Sequence, residues 1–521
     1  MQNAAIDVVV IGSGFGGAVA ANRLALAGRR VLVLERGPWR DSVPVRSMGI
    51  ARRSPFPYGR KAITHFVHSL HGSRFSLRMN KTGMYELGSF AGMYTLAASA
   101  VGGGSTAYGG LLETPRNPAL WQARHPALDP ADIERYYEKV IRDLGGVRIS
   151  REQLLPQTVW DHFPDAGNER CRPAAEQPHV AMLMPSTEAQ AGKSVTGSDG
   201  IERQYCGFDG DSFLGSRGGA KASVDFVYLP AVLDRGGAVR DLCEVTRIRP
   251  ASKTPGSGYV VEFKDLHRGV AETVVAPQVV LATGTLNTLR LLFSGSSSGD
   301  GLAPMPALGQ GFFGNGDLVG AWIKPSVSVP SFHSAPAQGA LAVAGHEQKP
   351  IGVGGLPGFD TWPLPGFVKR FLARVFFMYG MGIDSGKATV SFVKGRLCSD
   401  YDYRKESIYD ELRAAFRIVS EVSGSRMYPL TKPLSPHMGG GARIGATDQE
   451  GVIDHRGEVY GNPGLYVADA SALPGPTGSP PSVTIAAWAH YVADGIAQRT
   501  RHEPDHRQHP ADSPFLKEPC T

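Results

Sequence analysis

The sequence predicts an α/β chain, with a twisted parallel sheet at its core and a separate antiparallel sheet inserted late in the chain. Three observations predict it. Ile6–Ile11 is an apolar, β-branched run that passes through a glycine cluster into an Ala/Leu-rich helix and then into a second apolar run, Val31–Leu34. Short apolar runs bounded by turns read as strands buried on both faces, as in a parallel sheet. Two more such runs are Val279–Gly284, which runs into a glycine turn, and Tyr466–Ala470. Between 316 and 430 the pattern changes to aromatic-rich alternation, as in Ala388–Val393 after Asp384-Ser385-Gly386, which suits an antiparallel sheet.

Composition bounds the class. The chain has 521 residues, 42% hydrophobic and 20% charged. That length suggests several domain-sized units with cores large enough to need no staple. With 65 Gly and 38 Pro, many tight turns and close backbone approaches are expected. The five cysteines, Cys171, Cys206, Cys243, Cys398 and Cys520, are scattered. Their spacing argues against a disulfide framework and against zinc, so no metal is expected. There is no 18-residue apolar run and no basic leader, so the reading is no transmembrane segment and a cytoplasmic location.

Net charge is +6, yet nine basic residues face one acidic residue between Arg40 and Lys81. Either this is a solvated face or it docks an anionic partner, such as lipid headgroups in a peripheral membrane contact. No nucleic-acid motif accompanies the charge, so no nucleic-acid partner is expected.

The elements follow in order. Ala18–Ala27 should be helical and stop at Gly28, since glycine ends helices well. Residues 40–100 read as irregular. A second glycine cluster is Gly102-Gly103-Gly104-Ser105, with Gly109-Gly110 behind it. Asp129–Leu144 reads as a helix, and Gly218–Ala222 opens another helical segment. Val239–Pro250 and Tyr259–Phe263 alternate like antiparallel strands. A helix over Thr288–Phe293 follows Gly284. Leu356–Tyr379 is aromatic and Pro-rich, a composition that suits either packed core or the wall of an apolar pocket. The last helix runs from about Pro481 to Gln498, with Ser479 as its expected N-cap. From Arg499 the chain is polar.

The first unit has a physical reading. In Gly12-x-Gly14-x-x-Gly17 the first glycine makes the tight turn, the second lets a pyrophosphate touch the backbone, and the third lets helix and strand pack closely. The pyrophosphate then meets the positive end of the helix. Glu35, ending the second strand, can accept from a ribose diol and disfavours a 2′-phosphate. Strand, helix and acid together predict a Rossmann-like dinucleotide site, whether for FAD or NAD.

Seven pieces in order resemble the glucose–methanol–choline (GMC) family of FAD-dependent oxidoreductases, and above all its cholesterol-oxidase-like branch. They are Val9–Gly17, Val101–Ser105 with Gly109-Gly110, Gly219–Lys221, Val280–Gly284, Leu308–Gly311 with Asn315–Asp317, Met381–Asp384, and Gly451–Gly457 running through Gly464–Ala470. The resemblance implies a Rossmann-like FAD-binding domain with an inserted antiparallel-sheet (α+β) substrate domain. The expected limits are 1–315 and 432–498 for the FAD domain, 316–431 for the substrate domain, and 499–521 for a polar tail.

It also implies roles. FAD is the cofactor, contacted by Gly12, Gly14, Phe15, Gly16, Gly17 and Glu35, then by Gly102, Gly103, Gly104, Ser105, Tyr108, Gly109 and Gly110 along the flavin. The adenine would meet the backbone at Val245, with Ala282, Gly284, Asp469 and Ala470 completing the cradle. Pro480, Pro481 and Ser482 bring a helix N-terminus to the flavin pyrimidine, where its dipole favours negative charge. His437 matches the catalytic histidine, which takes the hydroxyl proton as hydride leaves carbon for flavin N5. An imidazole suits that work because it titrates near neutral pH.

The chain departs from the family pattern in places. Pro480 stands where the cholesterol-oxidase branch has Asn and other branches have His, so the usual second partner of the substrate hydroxyl is missing. Tyr108 replaces a frequent Asn, Gly441 replaces a Cys, and Asp384, though in a matched piece, reads as a turn residue. The expected activity is oxidation of an apolar, sterol-like, cyclic or long-chain alcohol to a ketone or aldehyde. The substrate is a small molecule, and electrons pass to oxygen or an unidentified carrier. C–C desaturation or isomerisation, or flavin binding without alcohol turnover, stay open as alternatives.

Overall fold

The computed structural model describes residues 5–72, 75–163, 168–297 and 301–499. Arg74, Cys520 and the polar tail from residue 500 lie outside the described residues.

Five parallel strands form the central sheet. In spatial order they are Ala238–Arg240, Val31–Leu34, Val8–Ile11, Gln278–Leu281 and Leu465–Val467. The Val8, Val31 and Leu465 strands are buried at every position, as both-face burial requires. The order reverses at Val8–Ile11: the chain first grows toward Ala238–Arg240, then returns to add Gln278–Leu281 on the other side. Ligands bind at such a switch point, beyond the carboxyl ends of the strands. Helix Phe15–Leu26 follows the first strand and packs along the C-terminal helix Ser482–Arg499. Its C-terminal stop is Gly28 at φ +85°.

A six-stranded antiparallel sheet stands beside this core. Its order is Arg426–Pro429, Leu318–Ile323, Val375–Gly380, Ile351–Gly354, Gly339–Val343 and Cys171–Pro173. Five strands fall within 316–431; the sixth, Cys171–Pro173, comes from far upstream. Ala388–Val393 is not part of it and pairs instead with Gln310–Phe312 and Arg396–Ser399.

Four local expectations are corrected. Residues 40–100 are not irregular: Val67–His71, Ser76–Arg78, Tyr85–Phe90 and Met93–Ala98 form a sheet with Leu434–Ser435. Its hairpin turns through Ala91 and Gly92, both at positive φ, a two-residue geometry usually signalled by Asn-Gly. Ala-Gly hid it. Ala238–Arg240 joins the parallel sheet, and only Cys243–Pro250 runs antiparallel, against Tyr259–Asp265. Ser479 does not cap the last helix. Its hydroxyl donates to Thr114 O (2.9 Å), and the first helical acceptor is Pro481 O. Asp384 is buried rather than an exposed turn residue: its carboxylate accepts from Gly314 N (2.8 Å) and Tyr401 Oη (2.9 Å), and burial pushes its pKa up to about 6.

The basic segment also reads differently in three dimensions. Arg40 is fully buried and donates to the carbonyls of Pro55, Thr82, Gly83 and Ser99. Arg46 and Arg53 pair with Asp41, Arg52 with Asp241 and Arg78 with Glu244. Four of these basic side chains therefore have a carboxylate partner within the protein, and Arg40 is held by carbonyls.

His490, on the C-terminal helix, is fully buried and stacks on Tyr136 at 5.1 Å, with neither ring nitrogen hydrogen-bonded. Burial lowers its pKa from 6.5 to about 4. The fold binds this imidazole neutral, so its stability is complete above pH 6.5 and is lost as pH falls toward 4. We expect His490→Leu to remove that loss. Denaturant midpoints should show the variant gaining on the wild type by up to about 3 kcal/mol across this interval. A gap that stays constant with pH would contradict this assignment.

Candidate active site

One cavity of 910 Å³ lies at the carboxyl ends of the parallel strands. It sits at the upper end of the roughly 300–1,000 Å³ range of ligand sites. Each parallel strand but one feeds it from the residues just past its end. Gly12–Gly16 follow the first strand, Glu35 the second, Ala282–Gly284 the fourth, and Asp469-Ala470 the fifth. Gly103, Gly104, Tyr108 and Gly109 form one wall, and Pro480, Pro481 and Ser482 another. Val245 also lines it, beside a bulge in the Cys243–Pro250 strand.

Four of the expected contact residues do not line the cavity. Gly17 packs helix against strand instead: a Cβ there would fall 2.0 Å from Gly12 O. Gly102 and Gly110 shape the loop at φ +95° and +80°. Ser105 is buried, donating to Gly102 O (2.7 Å) and accepting from Val224 N (3.0 Å). It ties the glycine loop to the next segment.

The donor set at the first turn is that of an anion site. Helix Phe15–Leu26 starts without a side-chain cap, and the amides of Phe15 and Gly16 have no acceptor among the described residues. Free amides at the positive end of a helix favour phosphate. Glu35 closes the turn: its carboxylate accepts from Ser13 N, Ser13 Oγ and Gly37 N at 2.8–3.0 Å. Burial raises its pKa. Gly104 presents bare backbone, since a Cβ there meets nothing within 4 Å and would project into the cavity. An uncapped helix, a carboxylate and a bare-backbone wall fit FAD. Asp469, expected to help complete the cradle, spends both oxygens inside the protein. It accepts from Gly284 N, Thr288 Oγ1, Ser471 N and Ser471 Oγ at 2.5–2.9 Å.

Lys221 holds the flavin-side loop from behind. It is fully buried, and its Nζ donates to Tyr108 O (2.7 Å), Ser212 O (2.6 Å) and Thr106 O (3.3 Å). Burial brings its pKa down to about 7. Tyr108 adds a second tie, donating to Ala222 O (2.8 Å) and meeting Phe15 edge-on at 5.4 Å.

His437 lines the opposite side of the cavity beside Asp317. His437 Nδ1 lies 3.1 Å from Asp317 Oδ1, and Ser435 Oγ donates to Asp317 Oδ2 (2.7 Å) while accepting from the His437 amide. A carboxylate partner keeps the proton on Nδ1 and leaves Nε2 as the lone-pair nitrogen. Asp317 is reached through Asn315 and Gly316, both in the left-handed region. The Asn315 side chain also holds the other wall, accepting from Thr477 N and Gly478 N and donating to Ser479 O. One turn thus sets both Asp317 and the Pro480-Pro481 segment.

The matches to known families settle the lineage. A family model described as GMC oxidoreductase matches residues 7–314, and a second of the same description matches 426–489. The chain belongs to the GMC oxidoreductase family. This GMC oxidoreductase is FAD-dependent and of the kind that acts on CH–OH groups. It is similar to a cholesterol oxidase of Mycobacterium tuberculosis, 26% identical over 94% of this chain and 90% of that protein. It is also similar to a long-chain-alcohol oxidase of Arabidopsis thaliana, 24% identical over 94% of this chain and 66% of that protein's length. Among solved structures, a pyridoxine 4-oxidase from Mesorbium loti shares the fold with TM-score 0.61 at 16% identity, covering 96% of this chain and all of that one.

Sequence reasoning missed several residues of this GMC oxidoreductase. Asp317 and Lys221 lay inside matched pieces but carried no assigned role, and the signal was their charge within otherwise apolar, glycine-rich runs. Tyr379 was hidden in the aromatic stretch. No group of metal-ligating side chains occurs among the described residues, and no described helix is long and apolar enough to cross a membrane.

Proposed function

We propose that this protein oxidises an apolar alcohol, sterol-like, cyclic or long-chain, to a ketone or aldehyde, with oxygen as acceptor. The observation that carries the reading is the His437–Asp317 pair on the wall of a cavity that Phe66, Phe213, Leu356, Phe359 and Phe377 also line. Similarity to proteins named for sterols and long-chain alcohols supports the same substrate class.

FAD, when bound, supplies the acceptor for the hydride leaving the carbinol carbon. The protein's part is proton transfer and positioning. His437 Nε2 accepts the hydroxyl proton, and the buried Asp317 carboxylate stabilises the imidazolium that results. The apolar walls exclude water from the reacting carbon.

Pro480 offers no donor, and Tyr379 takes over that task. Its ring lines the main cavity and the small recess beside Pro480, and a Cβ on Gly352 would fall 2.4 Å from its hydroxyl oxygen. Glycine at 352 is what makes room for the phenol. That hydroxyl has no hydrogen bond to a described residue, and burial raises its pKa, so it is a free donor. Tyr379→Phe is expected to slow alcohol-dependent flavin reduction roughly 10- to 100-fold, the loss of one hydrogen bond to a developing charge. Flavin content should not change. A variant as fast as the wild type would remove Tyr379 from the reaction.

The overall reading is tested by mixing the holoenzyme anaerobically with sterol, alkyl, aryl and sugar alcohols. Bleaching of the flavin by the apolar classes supports it. A bound flavin that no alcohol bleaches would favour desaturation or isomerisation instead.

A further inference from the structure

We propose that two surface helices, Lys61–His65 and Gly366–Leu372, dock this protein on an anionic lipid surface, with the apolar end of the cavity behind them. The proposal deepens the apolar-alcohol reading and rests on it for its purpose. The observations that carry it are independent of that reading.

Helix Gly366–Leu372 has no buried residue, yet its sequence is Gly-Phe-Val-Lys-Arg-Phe-Leu. Phe367 is 68% exposed and Phe371 49%. Ile63, on the other helix, is 76% exposed. Apolar side chains of this size in one exposed region mark an interaction site more often than a solvated face.

The two helices flank one aromatic wall. Trp362 Nε1 donates to Pro57 O (3.1 Å), and Gly59 N donates to Thr361 Oγ1 (3.0 Å). The Trp362 ring lies 5.0 Å from Phe66 and 4.9 Å from Phe359. Phe66, Phe359 and Leu356 line the cavity. The chain passes from this wall directly into the exposed helices on either side.

The charge around them is mainly positive: Asp360 is the acidic neighbour, and its carbonyl accepts from Lys369 Nζ (2.6 Å). Arg60, Lys61, Lys369 and Arg370 lie on or next to the two helices, and neither helix contains an acidic residue. None of the four makes an ion pair with a described residue, in contrast to Arg46, Arg52, Arg53 and Arg78. Exposed Phe and Ile within a basic rim match the interface of an anionic bilayer. A second copy of the chain would bring the same four positive charges against themselves. An apolar alcohol dissolved in lipid would then reach the cavity without crossing water.

The test is co-sedimentation of the holoenzyme with two kinds of vesicle. One is phosphatidylcholine alone, and the other contains about one-third phosphatidylglycerol. Binding should be roughly tenfold or more tighter to the anionic vesicles and should weaken with salt. The double variant Phe367→Ser/Phe371→Ser should lose roughly tenfold in binding to both kinds of vesicle. Lys61→Glu/Arg370→Glu should abolish the preference for anionic lipid. Flavin reduction by a detergent-dispersed alcohol should be unchanged in both variants, which separates this proposal from the alcohol reading itself. Binding that ignores both lipid charge and these substitutions would overturn it. So would a dimer, seen by light scattering, that the Phe variants dissociate.

Discussion

Replacing His437 by Gln is expected to slow flavin reduction by alcohol roughly 10²- to 10⁴-fold, the usual contribution of a positioned general base. The flavin should remain bound, because the free amides at Phe15 and Gly16 and the Gly104 wall are untouched. Glutamine can still hydrogen-bond a hydroxyl, so alcohol binding should change far less than the rate. Asp317→Asn probes the same unit from the other side. It keeps the shape but removes the charge that stabilises an imidazolium, and an Asn amide can also impose the wrong tautomer. A loss of roughly 10²-fold or more is expected, with a displaced pH–rate profile. Because both residues act as one unit, the double variant should be little worse than His437→Gln alone. Rapid-mixing measurements of flavin absorbance read all three. A His437→Gln enzyme that reduces its flavin at the wild-type rate would exclude His437 as the base.

Gly104→Val is expected to weaken FAD binding while leaving the apoprotein folded. A Cβ at 104 touches nothing within 4 Å, so the substitution strains no protein contact. Its branches would enter the space along the glycine wall that the cofactor needs. Overpacking of that kind is worth about 1–3 kcal/mol, a fall in FAD affinity of up to roughly 10²-fold. Gly12→Ala makes the contrasting control. Gly12 has φ +93°, and an added Cβ would sit 2.3 Å from Ala282 O. That change should destabilise the fold itself. The two are distinguished by the flavin-to-protein absorbance ratio and the thermal midpoint of the apoprotein. A Gly104→Val protein that purifies fully yellow would refute the assignment of this wall.

The parallel core was legible because strands buried on both faces write themselves as uninterrupted apolar runs, and because glycine turns have fixed offsets from them. Val8–Ile11, Val31–Leu34, Gln278–Leu281 and Leu465–Val467 all emerged this way. The sheet within 67–98 did not, since its strands are half exposed and its tight turn uses Ala91 in place of Asn. The site residues read from glycine spacing mostly reached the cavity, while Ser105 turned away to satisfy backbone groups that spacing does not reveal. Asp317 is 120 positions from His437, and no local pattern links them. Tyr379 needed the facing Gly352, a neighbour set by strand register alone.

The strand order of the central sheet has a consequence for the birth of the protein. Leu465–Val467 completes a sheet whose middle strand, Val8–Ile11, is made long before it. At ordinary rates of about 5–20 residues per second, the two are separated by roughly half a minute to a minute and a half of synthesis. From its own synthesis until Leu465–Val467 is made, the Gln278–Leu281 strand has no neighbour on its outer edge, and the Asp469 and Pro480 walls do not yet exist. Flavin capture must therefore wait until the Asp469 and Pro480 walls have been made. The nascent chain must keep an apolar sheet edge covered by other means until Leu465–Val467 arrives.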